Sequence, residues 1–144
     1  MATIAPITQS PPRSSGRMTL AAVTRGITQA PPRVLVVGVE GVGKSSFSAA
    51  APVPIFLCPE DGTMHLDVAR FPDPHTWHDV LDAIEALMAP GHSYKTLVID
   101  TLDWLEPLVW DHVCKKATKA DIESFGYGKG YVAALDEWRA LLAA

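Results

Sequence analysis

At 144 residues, 48% apolar and 19% charged, the chain has ordinary globular composition, long enough for one domain with a real core and too short for two. Twelve basic side chains against sixteen acidic ones give a net charge of −4, which offers no general affinity for nucleic acid. The longest apolar run, Ala49–Cys58, is ten residues and holds two prolines, so no transmembrane segment and no membrane partner are expected.

Charge divides the chain unevenly. Residues 1–33 carry Arg13, Arg17, Arg25 and Arg33 and no acid, so the remainder holds eight basic and sixteen acidic groups. Five of the twelve prolines lie in this head, which has little periodic apolar pattern and too little burial to offset its ordering entropy. The reading is a flexible Pro/Arg/Ser-rich segment over 1–32 and a nucleotide-binding portion over 33–144. The head contains one near-repeat, ITQSPPR at 7–13 and ITQAPPR at 27–33, a local duplication and not a solenoid. Met18 offers a second candidate start beside Met1. Arg and Ser without acids also occur in organelle-targeting peptides, but the prolines oppose the amphipathic helix those need. Cys58 and Cys114 lie far apart in apolar stretches, which reads as two buried free thiols in a reducing, cytoplasmic setting.

From Arg33 onward, strand and helix patterns alternate. Val34–Val37 is a continuous apolar, β-branched run ending at Gly38, which predicts a strand buried on both faces of a parallel sheet. Lys44–Ala50 predicts a helix that stops before Pro52. Ile55–Cys58, between Pro54 and Pro59, predicts the next strand. Trp77, Val80, Leu81, Ile84, Leu87 and Met88 then fall on one helical face, with Thr76 at the start, Asp79 near the cap and Pro90-Gly91 as the stop. Thr96–Ile99 predicts a third strand ending at Asp100. Asp103 is the predicted N-cap of a helix to about Lys116, with Glu106 three residues on and Pro107 near the first turn. After a glycine-rich loop, Tyr131, Leu135, Trp138 and Leu142 mark a last amphipathic helix. This alternation indicates an α/β fold with a mostly parallel sheet.

The chemistry is concentrated at the first strand-to-helix turn. Gly38-Val39-Glu40-Gly41-Val42-Gly43-Lys44-Ser45 matches the phosphate-loop pattern G-x-x-x-x-G-K-[ST], follows a predicted strand and opens a predicted helix. Glycines let the backbone wrap closely, and amides at the helix start, those of Lys44, Ser45 and Ser46 included, face an anion. Lys44 is placed to reach the β/γ-phosphate oxygens, and the Ser45 hydroxyl to coordinate Mg²⁺. Asp100, at the end of an apolar strand, has the position of the acid that holds the Mg²⁺ shell. Hydrolysis also needs a group that orients water. Thr101 follows Asp100, so no second acid stands beside the metal acid, and Glu60, after the second predicted strand, is the candidate. Asp61 is its nearest competitor.

The segments GVEGVGKSSF, PIFLCPEDGT with LDVARF, TLVIDTLDWLEPLVW and FGYGKGY together resemble phage-type AAA-domain ATP-binding proteins, RecA-like P-loop ATPases linked to phage recombination and single-strand annealing. The resemblance runs from about Met18 to the last residue. It implies a P-loop NTPase fold with three α/β/α layers, with Lys44 and Ser45 on phosphate and Mg²⁺, Asp100 as the second metal-site group, and Glu60 as the catalytic glutamate. It implies ATP and Mg²⁺ as ligands, a homo-oligomer on single-stranded DNA, and a host cytoplasm if phage-encoded. The family continues into a further strand that lies between the phosphate-loop strand and the Asp100 strand. By that comparison the chain lacks its C-terminal strands, and a truncated, inactive fragment is one expectation.

Other classes remain in view. Thr118-Lys119-Ala120-Asp121 matches the guanine-reading pattern [NT]KxD, but it follows a polar helix end, and Asp100 lacks a glycine three residues on. A small-molecule kinase shares the phosphate loop but closes arginines over the transferred phosphate, and the body has only Arg70 and Arg139. A non-catalytic single-stranded-DNA module would use Lys115, Lys116, Lys119 and Lys129 interleaved with Phe125, Tyr127 and Tyr131. The competing account of those residues is lysines offsetting a helix dipole and aromatics in the core.

Overall fold

The structure is a computed structural model that describes residues 19–26, 31–57 and 63–143. The chain divides into two units, 1–35 and 36–144. In the first, the described residues hold one 3₁₀ turn, Leu20–Ala22, with no buried residue.

In the second unit, α1 (Lys44–Ala49), β1 (Pro54–Leu57), β2 (Ala69–Arg70), α2 (Trp77–Met88), β3 (Thr96–Ile99), α3 (Leu102–Lys116) and α4 (Lys129–Ala143) follow in order. The three strands form a parallel sheet in the order β2-β1-β3. Pro54 pairs with Thr96 and Leu57 with Ile99, so β1 and β3 run in full register.

Alternation along the strands gives the sheet two working faces. Leu57 packs with Trp77, Val80, Leu105, Val109, Val113, Ala134 and Leu141, so α2, α3 and α4 cover one face. Phe56 and Val98, directly paired across the strands, point the other way and meet Ala49 of α1 and Val68. The α1–β1 connection is tied to the start of β3, since Lys95 N–H donates to the Val53 carbonyl (3.1 Å) and Thr96 Oγ1 to the Pro52 carbonyl (2.9 Å). Helix α1 and the remaining helices therefore lie on opposite sides of one small parallel sheet.

Helix α2 begins as its sequence dictates. Asp79 N–H donates to Thr76 Oγ1 (3.2 Å), and Asp79 Oδ2 accepts from the amides of His75 and Thr76 (2.8 Å each), a complete capping box. The helix ends at Met88, and its C-cap Ala89 is extended before Pro90. The backbone amides of His75 and then Thr76 hold the Asp79 carboxyl below its ordinary value of 3.8. A carboxylate lowered on folding adds stability that is complete above the ordinary value and lost as pH falls through the lowered one. Urea unfolding at neutral pH and again in acid should show Asp79→Asn less stable than wild type at neutral pH, with the difference closing in acid.

Three predicted elements differ, the last helix among them, where Tyr131, Leu135 and Leu142 are exposed and Ala134 and Leu141 face the core. Residues 31–39 contain no strand, and Val34, Leu35, Val36 and Val37 are 74, 73, 37 and 83% exposed, where burial on both faces is expected. A strand exists only where a neighbour supplies its ladder, and β3 pairs with β1 alone among the described residues. The start of the third predicted helix also shifts. Helix α3 starts at Leu102 with Thr101 as its N-cap, without a side-chain cap bond, and Asp103 sits in the first turn as a charge favourable to the dipole. Pro107 lies beyond that turn, inside the helix.

Candidate functional site

The loop from Gly38 to Gly43 leads directly into the first turn of α1. Gly43 is the N-cap and has a left-handed φ of +94°, a conformation that strains any side chain with a Cβ. At Gly38 the demand is space, because an added Cβ would stand 2.9 Å from Val42 Cγ1. The turn is closed by Val42 N–H on the Val39 carbonyl (3.4 Å) and by Phe47 N–H on the Gly43 carbonyl (2.9 Å).

Lys44 folds back over this loop. Its Nζ donates to the carbonyls of Gly38 (2.8 Å) and Val39 (3.1 Å), so the ammonium group spans the mouth of the turn. Lys44 and Ser45 are half-buried, while Val39, Glu40, Gly41, Val42 and Ser46 are exposed. Among the described hydrogen bonds none engages the amides of Glu40, Gly41 or Gly43, which leaves them open to an anion.

Asp100 continues β3, its N–H donating to the Leu57 carbonyl (3.3 Å), and its side chain is half-buried. It therefore stands at the C-terminal edge of the sheet, where parallel α/β folds bind ligands. No described hydrogen bond or ion pair joins Asp100 to Lys44 or Ser45. Among the described residues no strand pairing joins the Gly38–Ser45 loop to Asp100. Glu60 and Asp61, like Cys58, lie outside the described residues.

The donor chemistry suits a hard cation. Ser45 offers a hydroxyl and Asp100 a carboxylate, neither with a partner among the described residues, and Mg²⁺ is held by one or two protein oxygens, phosphates and water. The described residues contain no group of three or more His, Cys, Asp or Glu that could hold a metal ion.

A cleft of about 440 Å³ opens beside the ends of β1 and β2, lined by Leu57, Phe71, Asp73, His75, Asp79 and Asp82 among others. Its carboxylates disfavour a phosphate there.

The remaining sequence motifs are used locally. Asp121 of the [NT]KxD match accepts from the Ser124 hydroxyl (2.7 Å) and amide (2.8 Å), bonds that hold its carboxyl below the ordinary range. Lys115 pairs with Asp111 (2.7 Å) and Lys116 with Glu137 (3.0 Å), while Phe125 packs against the core. Tyr131 meets Trp110 edge-on at 5.5 Å and donates to Glu123, a bond that raises its phenol above the ordinary value. Tyr127 alone of these aromatics is fully exposed. Cys114 is a buried free thiol, pushed up by desolvation.

Sequence reasoning missed β2, whose two residues are too few to show a pattern, and with it the placement of Arg70.

A glycine-built loop, a lysine folded across it and a parallel sheet between helices define a nucleotide-binding P-loop module. The family pattern of the AAA domain matches residues 30–144, and the chain belongs to that family of P-loop, ATPase-like nucleotide-binding domains. No curated protein and no solved structure matches the chain. No helix among the described residues is long and apolar enough to cross a membrane.

Proposed function

We propose that the chain binds ATP with Mg²⁺ and hydrolyses it. The observation that carries this reading is the Lys44 ammonium held across a loop in which the Glu40, Gly41 and Gly43 amides have no partner among the described residues. Such a loop cradles the β- and γ-phosphates, with Lys44 moving from its own carbonyls to phosphate oxygens. Ser45 and Asp100 would hold Mg²⁺, which when bound neutralises charge on the phosphates. Asp100 is held by its backbone on β1 at the C-terminal edge of the sheet, which supports this assignment. Glu60, three residues beyond the end of β1, is the group assigned to orient and deprotonate water.

The resemblance adds a setting in phage recombination or single-strand annealing. Support for a single-strand contact is Tyr127, exposed in the connection between Lys119 and Lys129, since an aromatic face between cations suits base stacking beside a phosphate chain.

The test is Glu60→Gln, which keeps shape and removes the base. Hydrolysis should fall by about 100-fold or more with ATP affinity retained, measured as phosphate release with and without single-stranded DNA. An unchanged rate would remove Glu60 from the mechanism and leave nucleotide binding standing.

A further inference from the structure

The start of α2, the last turns of α3 and the middle of α4 bring two histidines, two lysines and two carboxylates together. The rings of His78 on α2 and His112 on α3 meet edge-on, with centroids 5.0 Å apart. His112 Nε2 stands 3.7 Å from Glu137 Oε1 on α4, and the same oxygen accepts from Lys116 Nζ at 3.0 Å. Lys115 Nζ pairs with Asp111 at 2.7 Å.

A recess of about 300 Å³ opens between these helices, at the low end of the range usual for ligand sites. His78, His112, Lys115 and Lys116 line it beside Trp77, against a single acid, Asp111. It shares no lining residue with the phosphate loop or with the acidic cleft.

Donors outnumber acceptors here. Each lysine bonds one carboxylate among the described residues, and an ammonium carries three donors. At 73 and 70% exposure both ammonium groups reach into solvent, so each can bridge its carboxylate and a ligand. An imidazole presents one N–H when neutral and two when charged. No described hydrogen bond or ion pair engages the His78 ring, and His112 lies beyond hydrogen-bond distance of Glu137. Asp79, in the same turn as His78, is taken up by the amides of His75 and Thr76. A phosphate group matches this set, because its oxygens accept in several directions at once and its charge strengthens every bond to a cation.

We propose that this recess is a second anion site, separate from the phosphate loop, that takes a phosphate group through His78, His112, Lys115 and Lys116. It does not depend on nucleotide binding at Lys44. Free phosphate and one link of a single-stranded nucleic acid present the same chemistry, and the experiment separates the two sources.

The probe is the set of imidazole proton signals in the NMR spectrum of the full chain, whose histidines are His65, His75, His78, His92 and His112. Inorganic phosphate and, separately, oligothymidylate are titrated at constant pH and ionic strength. The His78 and His112 signals should shift and saturate while those of His65 and His92 stay in place, and Lys44→Ala should give the same curve. In the double variant His78→Gln, Lys115→Gln, both at exposed positions, half-saturation of the His112 signal should need about tenfold more phosphate or greater. Lys115→Gln alone should show part of that weakening, which keeps the test decisive if the double variant folds poorly. Saturation by oligothymidylate at the lower phosphate concentration assigns the site to a nucleic-acid chain, and the reverse order assigns it to a small phosphate.

Shifts at His78 and His112 no larger than those at His65 and His92, or shifts that chloride reproduces, overturn the site. Unchanged half-saturation in both variants overturns it as well. Loss of the shifts in Lys44→Ala also overturns it, since the phosphate loop would then be where the anion sits.

Discussion

Trp77→Ala is expected to cost about 3–5 kcal/mol of folding stability, the usual range for removing a buried large aromatic. Trp77 is 1% exposed at the first position of α2, and its ring meets the edge of Trp138 on α4 with centroids 5.1 Å apart and planes at 74°. It thus joins two of the helices that cover the Leu57 face of the sheet. A domain of this size has a total stability of about 5–15 kcal/mol, so the substitution removes a large share. The indole Nε1–H is buried without a partner among the described residues, and an unmade buried hydrogen bond opposes folding. Trp77→Phe, which discards that donor and keeps an aromatic ring, should therefore lose much less than Trp77→Ala. Urea unfolding reads both. A shift in midpoint at constant m-value supports the packing account, and equal losses for Ala and Phe would contradict it.

Lys44→Ala should weaken Mg-ATP binding by about 10- to 150-fold, the equivalent of about 1.5–3 kcal/mol for a hydrogen bond to a charged group. The phosphate loses its nearest cation, a loss only partly offset because the variant has no Lys44 bonds to the Gly38 and Val39 carbonyls to give up on binding. Lys44 is not part of the core, so unfolding without nucleotide should stay within about 0.5 kcal/mol of wild type. Calorimetric titration of both proteins with Mg-ATP checks this. Equal affinity would mean that the nucleotide binds elsewhere, and loss of folding would mean that Lys44 is a structural residue.

Local chemistry made the phosphate loop and the start of α2 legible in the sequence. Gly43 must be left-handed and Gly38 must lack a Cβ because of atoms within a few residues, and the Thr76–Asp79 capping box is set by four consecutive residues. Thr96–Ile99 was equally readable, since the apolar run and the observed strand have the same limits. The Val34–Val37 run has the same character but no strand. Its composition promises a ladder that only a distant partner can supply, and pairing is a property of two segments.

Asp103 shows a different limit. Acids favour both the N-cap and the first turn, so residue type alone cannot separate the two positions, and the extended backbone of Thr101 decides between them. The contacts of Arg70 could not be read, because they run to two carbonyls in a turn four to seven residues earlier, a relation that leaves no periodic trace. The lysines and aromatics of the last third were readable only as a list. The fold assigns Phe125 to the core, Tyr131 to Trp110 and Glu123, and two lysines to ion pairs.

The most direct test of the central claim is a thermal melt of the 144-residue chain with and without Mg-ATP. A ligand that binds only the folded state at about 100 times its Kd adds about 2.7 kcal/mol, which for a domain of this size raises the midpoint by roughly 10 °C. The account predicts that rise in the wild-type chain and its loss in Lys44→Ala at the same nucleotide concentration. A cooperative melt whose midpoint saturating Mg-ATP leaves unchanged would contradict it.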